Sequence, residues 1–157
     1  MEDLCRHVQT EADALAGEAS VPTFHVDECT LEDIPVLTEF VEGELEKLDA
    51  PMKTTIQMSV AIDEIYSNIV YYAYGEESSG PATVTVIYEE EDNAVKLCFA
   101  DKGIPYDPLA KEDPDITLSA EQRGIGGLGI FMVKKTMDGV EYKYENGQNI
   151  LTIKKIL

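Results

Sequence analysis

Alternating apolar and polar residues, or runs of residues that favour β-structure, occur in five short stretches of the chain. These stretches predict strands at residues 21–26, 82–88, 94–101, 140–145 and 150–155. Only an acidic turn at 89–93 separates the second stretch from the third. Asn146-Gly147, a dipeptide that favours tight hairpin turns, lies between the last two. Strands joined so closely are expected to pair with their neighbours along the chain.

Two longer stretches have apolar residues at intervals of three and four, which predicts amphipathic helices. In residues 31–48 the recurring apolar positions are Ile34, Leu37, Val41, Leu45 and Leu48. In the second helix, from Pro51 to about Tyr74, they are Met58, Ile62, Ile65, Ile69 and Tyr72. Pro51 suits a first helical turn, and Gly75 suits a helix end. A third helix is expected from Gly129 to about Asp138.

The order of these elements predicts an α+β domain. A strand, two helices, two strands, a helix and two strands fold most simply into a two-layer α/β sandwich. Its mixed, mostly antiparallel sheet would carry the helices on one face. A chain of 157 residues suffices for one such domain. We assign it to residues 21–157 and expect residues 1–20 to be an N-terminal extension that is flexible or helical.

The stretch 103–123 interrupts this regular order. It contains Pro105, Pro108 and Pro114 together with several acids, and it shows no apolar period. Irregular loops of about twenty residues inside a compact domain tend to be functional lids or disordered segments. We therefore expect a lid between the third strand and the third helix.

Composition excludes several classes of function. With 31 acidic and 12 basic residues, the net charge is −19, which argues against binding nucleic acid through a basic face. No apolar run approaches the length of about 18 residues that a membrane-spanning helix needs, and the first residues do not resemble a secretion signal. We therefore expect a cytoplasmic protein. The three cysteines and two histidines do not form a zinc-binding pattern.

The second helix carries a first pair of candidate functional residues. Glu64 and Asn68 are four positions apart, so they lie on one face of the helix, at the edge of its apolar stripe. The carboxylate could orient or deprotonate a hydroxyl nucleophile, and the amide oxygen could supplement the ligands of Mg²⁺. The alternative is that both residues simply form a polar helix edge.

A second candidate lies at the end of the third strand. Asp101 has the same parity as Leu97 and Phe99, which places its side chain toward the core side of the sheet. A carboxylate there could accept a hydrogen bond from an exocyclic amine such as that of adenine. Gly103 would let the backbone turn or approach a ligand closely. The alternative is an aspartate that caps a turn.

The third candidate is the segment Arg123-Gly124-Ile125-Gly126-Gly127-Leu128-Gly129, which leads into the third helix. Its glycines could expose backbone N–H groups to an anion, and the arginine could bind a phosphate. A flexible hinge is the alternative. The segment also fits the dinucleotide-binding pattern, but it lacks the preceding strand which that fold requires, so we reject that interpretation.

These three motifs, in this order, resemble those of the GHKL (Bergerat) ATP-binding superfamily, which includes histidine-kinase ATPase domains. The stretches 61–74, 99–109 and 124–142 carry the resemblance, which extends over residues 21–157. It is nearest to the anti-sigma-factor serine/threonine kinases. Many members of the wider fold have D-x-G-x-G, whereas Ile104-Pro105 follows Gly103 here, which favours the serine-kinase branch.

The resemblance implies a role for each motif. By analogy Glu64 is the catalytic base and Asn68 is a Mg²⁺ ligand at the nucleotide. Asp101 and Gly103 form the adenine site. The phosphate-covering loop contains Arg123, Gly124, Gly126, Gly127, Leu128 and Gly129. A threonine in the last strand often supports the adenine site of the family, and Thr152 matches it.

The resemblance also implies cofactors and partners. It predicts a kinase that binds ATP or ADP with Mg²⁺, phosphorylates a STAS-domain anti-anti-sigma protein and sequesters a sigma factor. Members of the family are often dimeric, so a homodimer is open. The alternative within the same fold is a non-catalytic protein-binding switch that depends on ATP.

Overall fold

A computed structural model describes residues 8–10, 21–75, 78–110 and 128–157. They include six strands: β1 (Val8–Thr10), β2 (Pro22–Val26), β3 (Ala82–Glu89), β4 (Ala94–Asp101), β5 (Gly139–Glu145) and β6 (Gln148–Ile156). The strands form one sheet in the order β1-β2-β3-β4-β6-β5. Every pairing among these described strands is antiparallel.

The helical layer contains α1 (Asp33–Lys47), α2 (Met52–Tyr72) and α3 (Leu128–Thr136). Its apolar stripes pack with the inward-facing strand residues into one core, so the predicted α+β sandwich is confirmed. Leu37, Val41 and Leu45 of α1 are fully buried, as their spacing predicts. None of the described helices is both long and apolar enough to cross a bilayer.

Helix α2 differs from prediction at one core position. Met58, Ile62, Ile65 and Ile69 are buried as expected, but Tyr72 is 63% exposed. Tyr72 lies in the last turn and lines an open cleft, so it is not covered by the core. Tyr66 is instead fully buried, and its hydroxyl donates a hydrogen bond of 2.7 Å to Asp33 Oδ2 in α1.

The N-terminal extension is not wholly separate from the domain. Val8–Thr10 forms the edge strand β1, which pairs with β2 in the register Val8↔Phe24. The expectation of a flexible or helical segment is therefore wrong for these three residues. Three residues are too few to reveal a strand by alternation, so the error has a simple cause. The rest of residues 1–20 lie outside the described part of the chain.

The loop after β4 is more regular than predicted where the structure describes it. The backbone N–H of Ile104 donates to Ala73 O at 3.0 Å, just beyond α2. Pro108–Ala110 then forms a short 3-10 helix, whose start is capped by Asp107 Oδ1 accepting from Leu109 N at 2.8 Å. The remainder of the predicted lid, residues 111–123, lies outside the described residues.

Strand register brings two polar residues together at one end of the sheet. The β5–β6 hairpin turns at Asn146 and Gly147, both with positive φ (54° and 75°), as the dipeptide predicts. This turn places Asn149 near the start of β6, directly opposite Asp101 at the end of β4. Both side chains face the helical layer, and both are buried.

Candidate functional site

An open cleft lies between α2, the inward faces of β4 and β6, and the loop after β4. Its empty space, counted together with the open solvent at its mouth, is about 550 Å³. Its walls are mostly apolar and include Ile65, Ile69, Phe99, Ile104, Tyr142 and Leu151. Among the described residues that line it, Asp101 alone has a charged side chain. The cleft therefore suits a mostly apolar group with one hydrogen-bond donor directed at Asp101.

Asp101 is held in place by two hydrogen bonds to one oxygen. Its Oδ1 accepts from the backbone N–H of Gly103 at 2.9 Å and from Asn149 Nδ2 at 2.9 Å. Its Oδ2 accepts no hydrogen bond from the described residues. Burial raises the pKa of the Asp101 carboxyl, while the hydrogen bonds from Asn149 and Gly103 oppose that shift. The remaining oxygen is available to a ligand donor in the cleft.

Asn149 is a cleft residue that the sequence analysis missed. It is 7% exposed, and its amide contacts β4, β5 and the loop after β4. Its Nδ2 donates to Asp101 and to Ile104 O at 2.8 Å, and its Oδ1 accepts from Tyr106 N at 3.0 Å. One signal could have revealed it. Asn149 has the parity of buried Leu151 and Ile153, so it is an amide on the core face of a strand.

Position 103 requires a glycine because its backbone packs closely against the backbone of Ala73. A Cβ atom at this position would lie 2.2 Å from Ala73 O and 2.6 Å from Ala73 C. Any side chain would therefore push the loop away from the end of α2 and disturb the Gly103 N–H that donates to Asp101. The predicted role of this glycine, a close backbone approach, here involves the protein's own helix end.

Glu64 lies beside the start of α3 rather than on the cleft wall. A Cβ atom built on Gly129 would lie 1.8 Å from Glu64 Cδ and 1.9 Å from Oε1. The carboxylate is therefore packed against the first turn of α3, whose backbone N–H groups carry partial positive charge. The structure thus brings together Glu64 and Gly129, two residues 65 positions apart.

Asn68 lies one turn along α2 from Glu64 and lines the cleft. Its side chain is half-buried and makes no hydrogen bond with the described residues. The described residues also contain no cluster of three or more acidic, cysteine or histidine side chains that could hold a metal alone. A free amide oxygen near a carboxylate suits Mg²⁺, which takes few protein ligands and completes its shell with phosphate oxygens and water.

The remaining predicted site residues have different outcomes. Arg123, Gly124, Gly126 and Gly127 lie outside the described residues. Leu128 begins α3, but its side chain is also outside the described part.

The prediction for Thr152 is corrected by its position. Burial alternates along β6, and Leu151 and Ile153 face the core. Thr152 therefore lies on the opposite face of the sheet, where its hydroxyl lies 3.5 Å from Cys98 Sγ in β4. It does not line the cleft, and Asn149 is the β6 residue beside Asp101.

Comparisons with known proteins agree with this fold. The family described as "Histidine kinase-like ATPase domain" matches residues 28–155. The serine-protein kinase RsbW of Bacillus cereus (strain AH820) is 32% identical over 103 residues. RsbW of Listeria monocytogenes (strain ATCC BAA-679 / EGD-e) is 29% identical over 103 residues. These matches cover 63% of this chain and 62% and 64% of the two relatives, which is less than two thirds of their length.

A solved structure has the same fold. The crystal structure of the RsbU and RsbW domains of a Mycobacterium tuberculosis protein aligns with a TM-score of 0.60 at 16% identity. The alignment covers 89% of this chain and 34% of that one. The fold, the order of the motifs and the family match agree, and the chain belongs to the histidine kinase-like ATPase domain family.

Proposed function

We propose that this protein binds ATP in the cleft and acts as a serine/threonine protein kinase of the anti-sigma-factor type. The observation that supports this most strongly is Asp101, a buried carboxylate with one oxygen saturated by the protein and the other available in an apolar cleft. A purine with an exocyclic amine matches that arrangement. The similarity to the RsbW serine-protein kinases supports phosphoryl transfer as the reaction.

The chemistry assigns separate tasks to the residues of α2. Glu64 orients the hydroxyl of a partner's serine or threonine and accepts its proton. The hydroxyl oxygen forms a bond to the γ-phosphorus, the bond from that phosphorus to the bridging oxygen breaks, and ADP leaves. Asn68 would hold Mg²⁺ through its amide oxygen. When bound, that ion supplies charge neutralisation at the phosphates.

The proposed partners follow from the resemblance to the anti-sigma-factor kinases rather than from a surface of this structure. The substrate would be a STAS-domain anti-anti-sigma protein, and the sequestered partner a sigma factor. A kinase that uses ATP to regulate transcription would act in the cytoplasm. The proposal also includes a homodimer, which is compatible with this function.

The direct test is phosphoryl transfer to a partner. The protein is incubated with Mg-ATP and its cognate STAS-domain partner, and the partner is weighed by intact mass spectrometry. We expect a mass gain of one phosphate that depends on ATP and on this protein. An unchanged partner mass after long incubation, with ATP binding confirmed separately, would reject the kinase activity.

One observation favours a second candidate, a non-catalytic switch that binds its partner only with ATP. Glu64 lies against Gly129 and is not among the residues that line the cleft. The variant Glu64→Gln distinguishes the two functions, with exposed Asp63→Asn on the same helix as its matched control. A kinase loses transfer in Glu64→Gln alone, by about a hundredfold or more for a lost general base. A switch retains ATP-dependent partner binding in both variants and transfers phosphate in neither.

A further inference from the structure

We propose that Asn149 is a positioning residue that sets the purine specificity of the cleft by fixing Asp101 and the loop after β4 together. This inference rests on the proposed function, because it assumes that Asp101 reads a purine amine. It concerns a residue that neither the motifs nor the comparisons identify.

The hydrogen-bond capacity of Asn149 is fully used by the protein. A side-chain amide has two N–H donors and two acceptor lone pairs. Nδ2 donates to Asp101 Oδ1 at 2.9 Å and to Ile104 O at 2.8 Å, with Gly103 O further away at 3.4 Å. Oδ1 accepts from Tyr106 N at 3.0 Å and from Tyr142 OH at 2.5 Å. No group is left over for a ligand, so Asn149 acts through its neighbours.

The first neighbour is the carboxylate itself. Asn149 and the Gly103 N–H together occupy Oδ1 of Asp101, which fixes the plane of the carboxylate and leaves Oδ2 toward the cleft. A fixed acceptor favours a donor at one point in space and repels an acceptor there. The amide thereby holds the Asp101 carboxylate in one orientation, in which it selects a ligand with a donor at that point.

The second neighbour is the loop. Ile104 and Tyr106 both contact Asn149 through their backbones, and both line the cleft. Tyr142, from β5, also lines the cleft and donates to the same amide. The buried side chain of Asn149 therefore holds Asp101, the loop after β4 and Tyr142 together. Binding of the purine amine and the position of the loop are coupled for this reason.

The test compares two nucleotides that differ only in the group that Asp101 would read. ATP has the 6-amino group, and purine riboside triphosphate lacks it. Affinities of both are measured calorimetrically with Mg²⁺ for the wild type, Asn149→Leu and Asn149→Ser. Gln148→Leu, the neighbouring amide that faces away from the core, serves as the matched control. Thermal melting confirms that each variant is folded, and Asn149→Ser carries the test if the leucine variant does not fold.

We expect the wild type and Gln148→Leu to prefer ATP by about tenfold or more, as expected for one hydrogen bond to a charged group. The Asn149 variants should lose most of that preference, retaining less than about threefold, while the affinity for purine riboside triphosphate changes little. A merely structural role would weaken both nucleotides equally. An equal loss, or an unchanged preference, would overturn the proposal.

A second measurement tests the coupling to the loop. Hydrogen–deuterium exchange is followed in peptides that cover residues 104–110, with each nucleotide at saturation. In the wild type, ATP should slow exchange there more than purine riboside triphosphate does. In the Asn149 variants the two nucleotides should have the same effect, and a retained difference would overturn the coupling.

The outcomes separate this inference from the proposed function. If the wild type binds neither nucleotide, the proposed function is wrong, and this inference is wrong with it. If Asp101→Asn abolishes the preference for ATP but the Asn149 variants keep it, only the inference fails.

Discussion

Asp101 combines two opposing requirements in one side chain. In the proposed function its charge strengthens the hydrogen bond that it accepts from a ligand amine, yet burial raises the pKa of the carboxyl and so disfavours that charge. A folded-state pKa above the unfolded value means that folding favours the protonated form. The contribution of this group to stability is therefore greatest at acid pH and falls as pH rises through the folded-state pKa.

The variant Asp101→Asn should separate binding from stability. The amide oxygen can still accept from Gly103 N and Asn149 Nδ2, but its other end becomes a donor that cannot accept from a purine amine. We expect ATP affinity to fall by about 1–3 kcal/mol in calorimetric titration. In urea unfolding near neutral pH the variant should be at least as stable as the wild type, and any advantage should shrink toward acid pH. A variant much less stable at neutral pH would contradict this account.

Gly129 should be needed for catalysis more than for folding. In Gly129→Ala the new methyl group would overlap the Glu64 carboxyl, a flexible side-chain end that can move aside. We expect the fold to persist and phosphoryl transfer to fall by about tenfold to a hundredfold, because small displacements of a catalytic group are costly. Enzyme assays and circular dichroism measure the two effects.

The control for Gly129→Ala is Gly43→Ala in α1, where the added Cβ would meet nothing within 4 Å apart from the neighbouring backbone of its own helix. This change should leave transfer unchanged and slightly stabilise the helix. Transfer at the wild-type rate in Gly129→Ala would show that the position of Glu64 is not critical.

Among the elements, α2 connects the hydrophobic core, the candidate site and α1. Its buried face packs in the core, its edge supplies Glu64 and Asn68, and Tyr66 links it to α1. Asp33 Oδ2 accepts from Tyr66 OH and from Thr30 N, at 2.7 Å and 2.8 Å. Burial, reinforced by Asp33, raises the pKa of Tyr66 far above its ordinary value, so the phenol stays a donor.

Removal of that hydroxyl should weaken the helical layer. Tyr66→Phe leaves a buried carboxylate with one partner fewer, and we expect a loss of about 1–3 kcal/mol in the free energy of unfolding by urea. Tyr71→Phe is the control, because Tyr71 is 58% exposed on the same helix. Its effect should stay within about 0.5 kcal/mol. Equal effects of the two changes would contradict a structural role for the Tyr66–Asp33 hydrogen bond.

The elements that the sequence predicts well are those with a long local period. Helices α1 and α2 and the β5–β6 hairpin lie where spacing and turn residues place them. The sequence does not predict strand β1, because three residues are too few to show an alternation of apolar and polar positions. The family resemblance predicts Thr152 at the adenine site, whereas strand parity places it on the other face of the sheet. Strand parity could have placed Asn149 on the core face, but its position opposite Asp101 depends on the pairing of distant strands, which no local pattern predicts.

Across the whole molecule, charge opposes the proposed ligand. The net charge is −19, and the described lining of the cleft contains Asp101 and no cation. A nucleotide that carries negative charge even with Mg²⁺ approaches through a repulsive field. Binding must then depend on local contacts and on the bound metal ion.

This charge balance predicts an unusual salt dependence. Added monovalent salt screens the repulsion beyond a distance of about 8–10 Å, so the association rate of Mg-ATP should rise severalfold from low to physiological ionic strength. Stopped-flow measurements with a fluorescent ATP analogue at saturating Mg²⁺ would show it. An association rate that falls with salt would mean that cations near the cleft dominate the field.

The most direct measurement of the central claim is a crystal structure of the protein with a non-hydrolysable ATP analogue and Mg²⁺. The account predicts that the purine lies in the cleft, with its 6-amino nitrogen within hydrogen-bond distance of Asp101 Oδ2 and Asn149 still bound to Oδ1. A purine bound elsewhere, or one whose amine points away from Asp101, would contradict it.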